Sequence, residues 1–261
     1  MQFLKKSLGQ NFLQDRNVIK KIINLIEIKN NNIIEIGPGM GSLTDEILMK
    51  NPKSLIIIEK DNSLAKKLKN KYNLIKSVKI INEDILKLNI DKFSKKNSIV
   101  FGNLPYNISS QILVKFLRIS NIPKKFKHVI FMFQKEVGDK ISGKFKSSNY
   151  SRLSILTGYK FKIQKKFLVS PNCFFPRPKV NSMVIHFRPI NKLNSNIQNI
   201  LNLEKVTNTL FSNKRKMINK NIKKLLKFDQ ITKLKELKLN LRPSEVSPEM
   251  YFKITEMFEE K

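Results

Sequence analysis

Three short stretches set chemistry-bearing residues directly after apolar runs. "EIGPGMG" (35–41) carries Gly37, Gly39 and Gly41. Glycines at this spacing allow a tight turn, and let a ligand approach backbone N–H groups at the head of a helix. The pattern is GxGxG, which is neither the GxGxxG of dinucleotide proteins nor a Lys-Ser/Thr phosphate loop. Such a turn holds a nucleotide-like ligand or simply joins a strand to a helix. Glu59 ends "LIIIE" about 20 residues further on, where a doubly wound fold sets an acidic side chain against ribose hydroxyls. Asp84, in "INEDIL", can accept from an adenine amino group, with Glu83 as its solvated neighbour. Three such elements after successive strands match where open α/β sheets bind ligands.

"GNLPYNISS" (102–110) points to the reacting partner. Asn103 brings a side-chain carbonyl acceptor. Pro105 keeps Leu104 out of the helical region, so the Leu104 carbonyl stays available to a cleft. Tyr106 offers a ring on which a base can stack. Two acceptors and a stacking face describe a pocket for an extruded adenine. Its exocyclic amine is a poor nucleophile, because the nitrogen lone pair is delocalised into the ring. Acceptors on the two amine hydrogens would hold it and favour a lone pair on nitrogen as a sulfonium methyl approaches in line. That methyl is already activated, so catalysis is mainly positioning and electrostatics. The chemistry requires no metal and no covalent nucleophile. Cys173 is the single cysteine, and the two histidines, His128 and His186, lie inside apolar runs and read as packed residues. A Ser-His-Asp or Cys-His engine is unsupported.

These residues need a scaffold that brings strand ends together. Val18, Ile22, Ile23 and Ile26 recur at helical spacing over 15–28, with Asp15 as the cap. Strands are expected at the run before Gly37 and over 54–61, 77–86, 97–106 and 126–136. Helices are expected from Ser42–Thr44 onward, after Asp61, and over 110–119. The alternation predicts an α/β, Rossmann-like parallel sheet with helices on both faces. Residues 161–170 and 181–189 read as a closing pair of strands joined by "PNCFFPRPKV". Beyond Pro189 the pattern turns polar and then helical, over 204–227, 231–239 and 247–260. A sheet domain over 1–190 and a small all-helical domain over 191–261 follow.

The formal charge of +31, with 51 Lys and Arg against 20 Asp and Glu, predicts a polyanionic partner, nucleic acid first. A Lys-rich surface drifting with an A+T-rich genome is the competing explanation. Lys214, Arg215, Lys216, Lys220, Lys223 and Lys224 cluster while Leu210, Ile218, Ile222 and Leu225 face inward. That cluster is either an RNA contact or a solvated face. No apolar run is long enough to span a membrane, and the N-terminus lacks a signal peptide's apolar stretch. The expectation is a cytoplasmic protein, monomeric, without membrane or metal.

The ordered motifs "LGQNFL" (8–13), "EIGPGMGSLT" (35–44), "IEKD" (58–61), "NED" (82–84), "GNLPYNISS" (102–110), "FMFQKEVGDKI" (131–141), "YSRLSIL" (150–156) and "FFPRPKVNSMV" (174–184) span nearly the whole chain. Together they closely resemble the ribosomal RNA adenine dimethyltransferases. "RKMINKNIKKLL" (215–226) and "LRPSEVSPEMYFKI" (241–254) are similar to the C-terminal domain of the small-subunit branch. The resemblance implies a class I S-adenosyl-L-methionine-dependent methyltransferase domain with an N-terminal cofactor-lid segment. It also implies dimethylation of N6 on two adjacent adenines, in a hairpin loop near the 3′ end of small-subunit rRNA. The partners would be that rRNA and the immature small ribosomal subunit.

By position in the matching motifs, Asn11 and Leu13 would contact the cofactor. Gly37 would line its methionine part, Glu59 its ribose and Asp84 its adenine. Asn103 would lie between cofactor and target amine, with Leu104 and Tyr106 holding the base. Phe174 and Phe175 occupy a loop whose aromatic faces the target, and both rings are candidates. Lys often stands where Arg is expected, without Arg's fork. Two alternatives remain: a large-subunit rRNA adenine dimethyltransferase of the macrolide-resistance type, and a non-catalytic ribosome-assembly factor on the same fold.

Overall fold

The computed structural model describes residues 11–193 and 195–260. Residues 8–10 of the first motif lie outside that range. In chain order the elements are β1 (Phe12–Leu13), α1 (Arg16–Ile23), β2 (Asn32–Ile36), α2 (Ser42–Met49), β3 (Ser54–Glu59), α3 (Asn62–Lys71), β4 (Val78–Asn82), β5 (Ser98–Asn103), α4 (Ser109–Leu117), α5 (Ile122–Lys125), β6 (Phe126–Gln134), α6 (Lys135–Ile141), α7 (Arg152–Lys160), β7 (Phe161–Val169), β8 (Phe174–Phe175) and β9 (Ser182–Pro189). The Ile- and Val-rich runs of β2, β3, β5 and β6 become strands largely buried on both faces, as a helix-covered parallel sheet requires, while β4 at the edge is only partly buried.

The seven-stranded sheet has the order β4-β3-β2-β5-β6-β9-β7. Strands β2 to β6 run parallel, and β9 returns antiparallel to β6. From β2 the chain winds outward through β3 and β4, then restarts on β2's other side with β5. Ligands bind at such a reversal, outside the strands' carboxyl ends.

Side chains alternate across the sheet. Ile33, Leu55, Ile57, Ile99 and Phe101 pack in one cluster with Ile19, Ile22 and Ile23 of α1 and Ile47 of α2. On β6 the next residue in register, Phe131, meets Phe116 of α4 edge-on, with ring centroids 5.1 Å apart. Burying a side chain of this size contributes about 1.5–3 kcal/mol, so the two faces carry much of the stability. Asp15 caps α1 as expected, accepting from the Val18 N–H at 2.8 Å.

The chain divides into two compact units. One comprises the described residues of Met1–Gly138 with Ile163–Pro189, and the other those of Asp139–Lys162 with Ile190–Lys261. The sequence reading draws a single boundary near 190; the structure adds 139–162 to the C-terminal unit. Tyr150 explains why, since its hydroxyl donates to the Val246 carbonyl at 3.0 Å. Tyr159 adds a ring contact to Phe252, with centroids 5.1 Å apart. The C-terminal helices are α8 (Ile200–Phe211), α9 (Asn219–Ile222), α10 (Phe228–Lys233) and α11 (Pro248–Glu259). The continuous helix expected over 204–227 is therefore broken at 212–218. There the Ser212 hydroxyl accepts from the Asn221 side chain and the Ile218 N–H donates to the Leu241 carbonyl. The second bond takes the Ile218 N–H out of the helical ladder. The expected segment 231–239 shortens likewise, to the end of α10.

Candidate active site

The carboxyl ends of β2, β3 and β5 and the turn after β4 surround a cavity of about 180 Å³. Two adjoining cavities of about 10 and 20 Å³ have room for a water or two. Nine of the expected residues line the large one: Asn11, Gly37, Gly39, Glu59, Asp84, Asn103, Leu104, Pro105 and Tyr106. Leu13, Gly41, Phe174 and Phe175 do not.

The glycine turn explains part of that division. Gly37, Gly39 and Gly41 all adopt positive φ, at 67°, 60° and 87°. Gly37 donates its N–H to the Ile58 carbonyl at 3.0 Å, which ties the turn to β3. A Cβ on Gly39 would lie 2.5 Å from the Phe12 ring, so this glycine admits the N-terminal strand. Gly41 serves packing instead. Its left-handed backbone opens α2, and a Cβ there would strike the Tyr72 hydroxyl. That hydroxyl donates to the Gly41 carbonyl at 3.3 Å and to Asp45 at 2.7 Å.

The two carboxylates stand at neighbouring strand ends, since Glu59 pairs in register with Asn82 just before Asp84. Glu59 is 7% exposed. Burial raises its carboxyl above the usual range, while the N–H groups of Asp61, Gly39 and Lys60 pull it back only in part. The Asp61 bond is 2.8 Å. For Asp84, burial acts upward, but the Lys60 ammonium at 2.8 Å and the Leu86 N–H at 2.9 Å outweigh it and hold the carboxyl low. Ile58, Leu64, Ile85 and Ile112 supply apolar wall between these acceptors. Apolar walls, carboxylate acceptors and a glycine turn form a donor set that fits an adenosine carrying an amino-acid tail.

The turn after β5 forms the opposite wall. Gly102 lets it fold, because a Cβ there would come within 2.6 Å of Leu104 and 3.0 Å of Phe131. Asn103 donates its amide Nδ2–H to the Asn11 carbonyl at 3.1 Å, and its Oδ1 has no hydrogen bond among the described residues. The Leu104 carbonyl likewise accepts no backbone N–H among them, although its side chain is buried. A half-buried turn at a cavity that leaves two acceptors without a hydrogen bond among the described residues can receive a donor there. The Tyr106 hydroxyl meets the Ser182 hydroxyl at 2.6 Å.

The Phe pair separates cleanly. β1 and β8 pair antiparallel, Phe12 opposite Phe175 and Leu13 opposite Phe174. Leu13 and Phe174 are 4% and 5% exposed within the core cluster. Phe175 is 48% exposed on the face it shares with Phe12, which lines the cavity. The sequence reading missed Phe12, Lys60 and Ser182. Phe12 had a signal, the apolar residue between Asn11 and Leu13. Ser182 had none, because its partner is 76 residues away. The two histidines bond to each other, Nε2 of His186 to Nδ1 of His128 at 2.9 Å, and neither lines the cavity.

The family model described as ribosomal RNA adenine dimethylase matches residues 1–260. A ribosomal RNA small subunit methyltransferase A from Pelagibacter ubique (strain HTCC1062) is 44% identical over 259 residues, covering 98% of this chain and 97% of that protein. A dimethyladenosine transferase from Plasmodium falciparum superposes with a TM-score of 0.80 at 25% identity, over 95% of this chain and 98% of that one. The 23S rRNA methyltransferase ErmE shares the fold with a TM-score of 0.69 at 23% identity, over 95% of this chain and 100% of that one.

Proposed function

We propose, for a chain that belongs to the ribosomal RNA adenine dimethylase family, that it methylates N6 of two adjacent adenines near the 3′ end of small-subunit rRNA. The methyl donor is S-adenosyl-L-methionine, and the products are N6-dimethyladenosines. Its substrate would be the immature small subunit, in the cytoplasm. One observation carries the reading: Asn103 and Leu104, whose Oδ1 and carbonyl have no hydrogen bond among the described residues, line the same cavity as Glu59, Asp84 and Tyr106.

When bound, the cofactor supplies an electrophilic methyl on sulfonium sulfur. Glu59 would accept from its ribose hydroxyls and Asp84 from its adenine amine, and the turn at Gly37 would pass close to its amino-acid end. Asn103 and Leu104 would each accept one N6–H of the unmodified target, and one of them the single N6–H left after the first transfer, which fixes the amine and concentrates its lone pair toward the cofactor. With the cofactor bound, these residues would hold the amine for transfer of that methyl from sulfur to N6, which would leave a neutral thioether and release one N6 proton to solvent for each methyl added. Burial raises the Tyr106 phenol and its Ser182 bond lowers it, for a net rise. The ring therefore presents a neutral face for stacking. The high positive charge would bring the RNA in through its phosphates.

The test is incubation with labelled cofactor and either unmethylated small subunits or large-subunit RNA, followed by mapping of the modified base. Label on paired adenines of small-subunit rRNA is expected. Label on large-subunit RNA alone would overturn the choice of subunit, and no label on either would overturn the enzyme.

A further inference from the structure

We propose that Ser182 is a positioning residue for methyl transfer, its hydroxyl anchoring the far end of the Tyr106 ring against which the target adenine stacks. The inference rests on the function proposed above and adds to it a residue that does not line the cleft. Ser182 is the first residue of β9 and is completely buried. Its register partner is Gln134, the last residue of β6, so it sits at the same sheet end as the cavity. Its hydroxyl reaches a side chain of the cleft wall at 2.6 Å.

A side chain on a turn can take any of three staggered χ1 rotamers, so backbone placement alone leaves the direction of the ring open. A short bond at the para oxygen fixes the ring's long axis. At the other end of the residue, the Tyr106 carbonyl accepts from Ser109 at 3.2 Å, so the ring is held at both ends.

The bond also closes a circuit around the pocket. Asn103 ties the β5 turn to Asn11. β1 then pairs with β8, and Gln14 donates its N–H to the Cys173 carbonyl at 2.8 Å. From Phe175 the chain runs through six residues to Ser182 and back to Tyr106. The ring axis, Phe175 and the Asn103 amide are thus referenced to one connected frame. Positioning of this kind acts on turnover rather than on cofactor affinity.

The test compares Ser182→Ala, Ser182→Thr, Tyr106→Phe and the Ser182→Ala/Tyr106→Phe double variant. Turnover is measured on unmethylated small subunits and cofactor affinity by calorimetry. Ser182→Ala and Tyr106→Phe should each lower kcat about fivefold to tenfold, the loss of one buried hydrogen bond. The double variant should be no worse than either single one. Ser182→Thr, which keeps the hydroxyl, should restore most of the rate, and cofactor affinity should stay within about twofold throughout. Multiplying losses in the double variant, or a normal rate in Ser182→Ala, would overturn the proposal. A readout independent of RNA separates its failure from that of the function. With fluorinated tyrosine in the RNA-free protein, the Tyr106 fluorine resonance should shift and broaden in Ser182→Ala as the ring axis samples further χ1 rotamers, and a resonance unchanged from wild type refutes the tether whatever RNA is methylated.

Discussion

At the scale of single residues, the site separates binding from reaction, and two substitutions should separate likewise. Asn103→Ala removes an open acceptor from the reacting amine. It should lower transfer by about 10²-fold or more while cofactor affinity is largely kept. Near-normal turnover on RNA would remove Asn103 from the reaction. Glu59→Ala removes a charged acceptor from the cofactor side and should weaken cofactor binding by about 10- to 100-fold, as read by calorimetry. Glu35, two residues before Gly37 in β2, makes a different prediction. It is buried and accepts from the Thr44 hydroxyl at 2.7 Å. Burial is the main cause that raises its carboxyl from 4.5 to about 8. The fold therefore favours the neutral form, and this stabilisation is complete below pH 4.5 and lost as pH rises through about 8. Between about pH 5 and about pH 9, wild type should lose stability relative to Glu35→Gln, on the order of a few kcal/mol. A pH-independent gap in denaturant melts would show that Glu35 is ionised throughout.

At the scale of elements, strands announce themselves and partners do not. The Ile-rich runs of β2, β3 and β5 fix their own secondary structure, so the glycines, Glu59, Asp84 and Asn103 at their ends were legible as a site. Gly41 shares the glycine spacing, but its role depends on Tyr72, 31 residues on, and the spacing cannot reveal that. The break after α8 was equally hidden, because Ile218 answers to Leu241 rather than to its own turn. The Phe pair shows the same limit. Two adjacent residues of one strand must face opposite ways, but only the pairing of β1 with β8 says which way is inward. Phe174→Ala should cost about 3–5 kcal/mol by leaving a cavity in the core. Phe175→Ala should cost under about 1 kcal/mol, as an exposed side chain. Chemical denaturation of both variants reads the difference, and the reverse ranking would contradict the pairing.

At the scale of the whole molecule, charge is the dominant fact. An excess of +31 makes association with RNA steep in salt, wherever on the surface the RNA lies. The exposed Lys220, Lys223 and Lys224 of the C-terminal unit offer a local test. Reversing all three to Glu should weaken RNA binding, and should flatten the salt dependence by about 0.9 in log–log slope for each phosphate no longer neutralised. Unchanged affinity and slope would leave that cluster a solvated face. The order of the strands also has a consequence in time. The glycine turn, Glu59 and Asp84 all precede residue 85, whereas the wall for the target base waits on Ser182 at the start of the last strand to join the sheet. A chain leaving the ribosome N-terminus first has thus synthesised the acidic, nucleoside-facing side of its cleft about a hundred residues before the tether for its stacking ring. A nascent chain paused anywhere in that interval would carry the groups proposed to grip the methyl donor without the frame proposed to aim it.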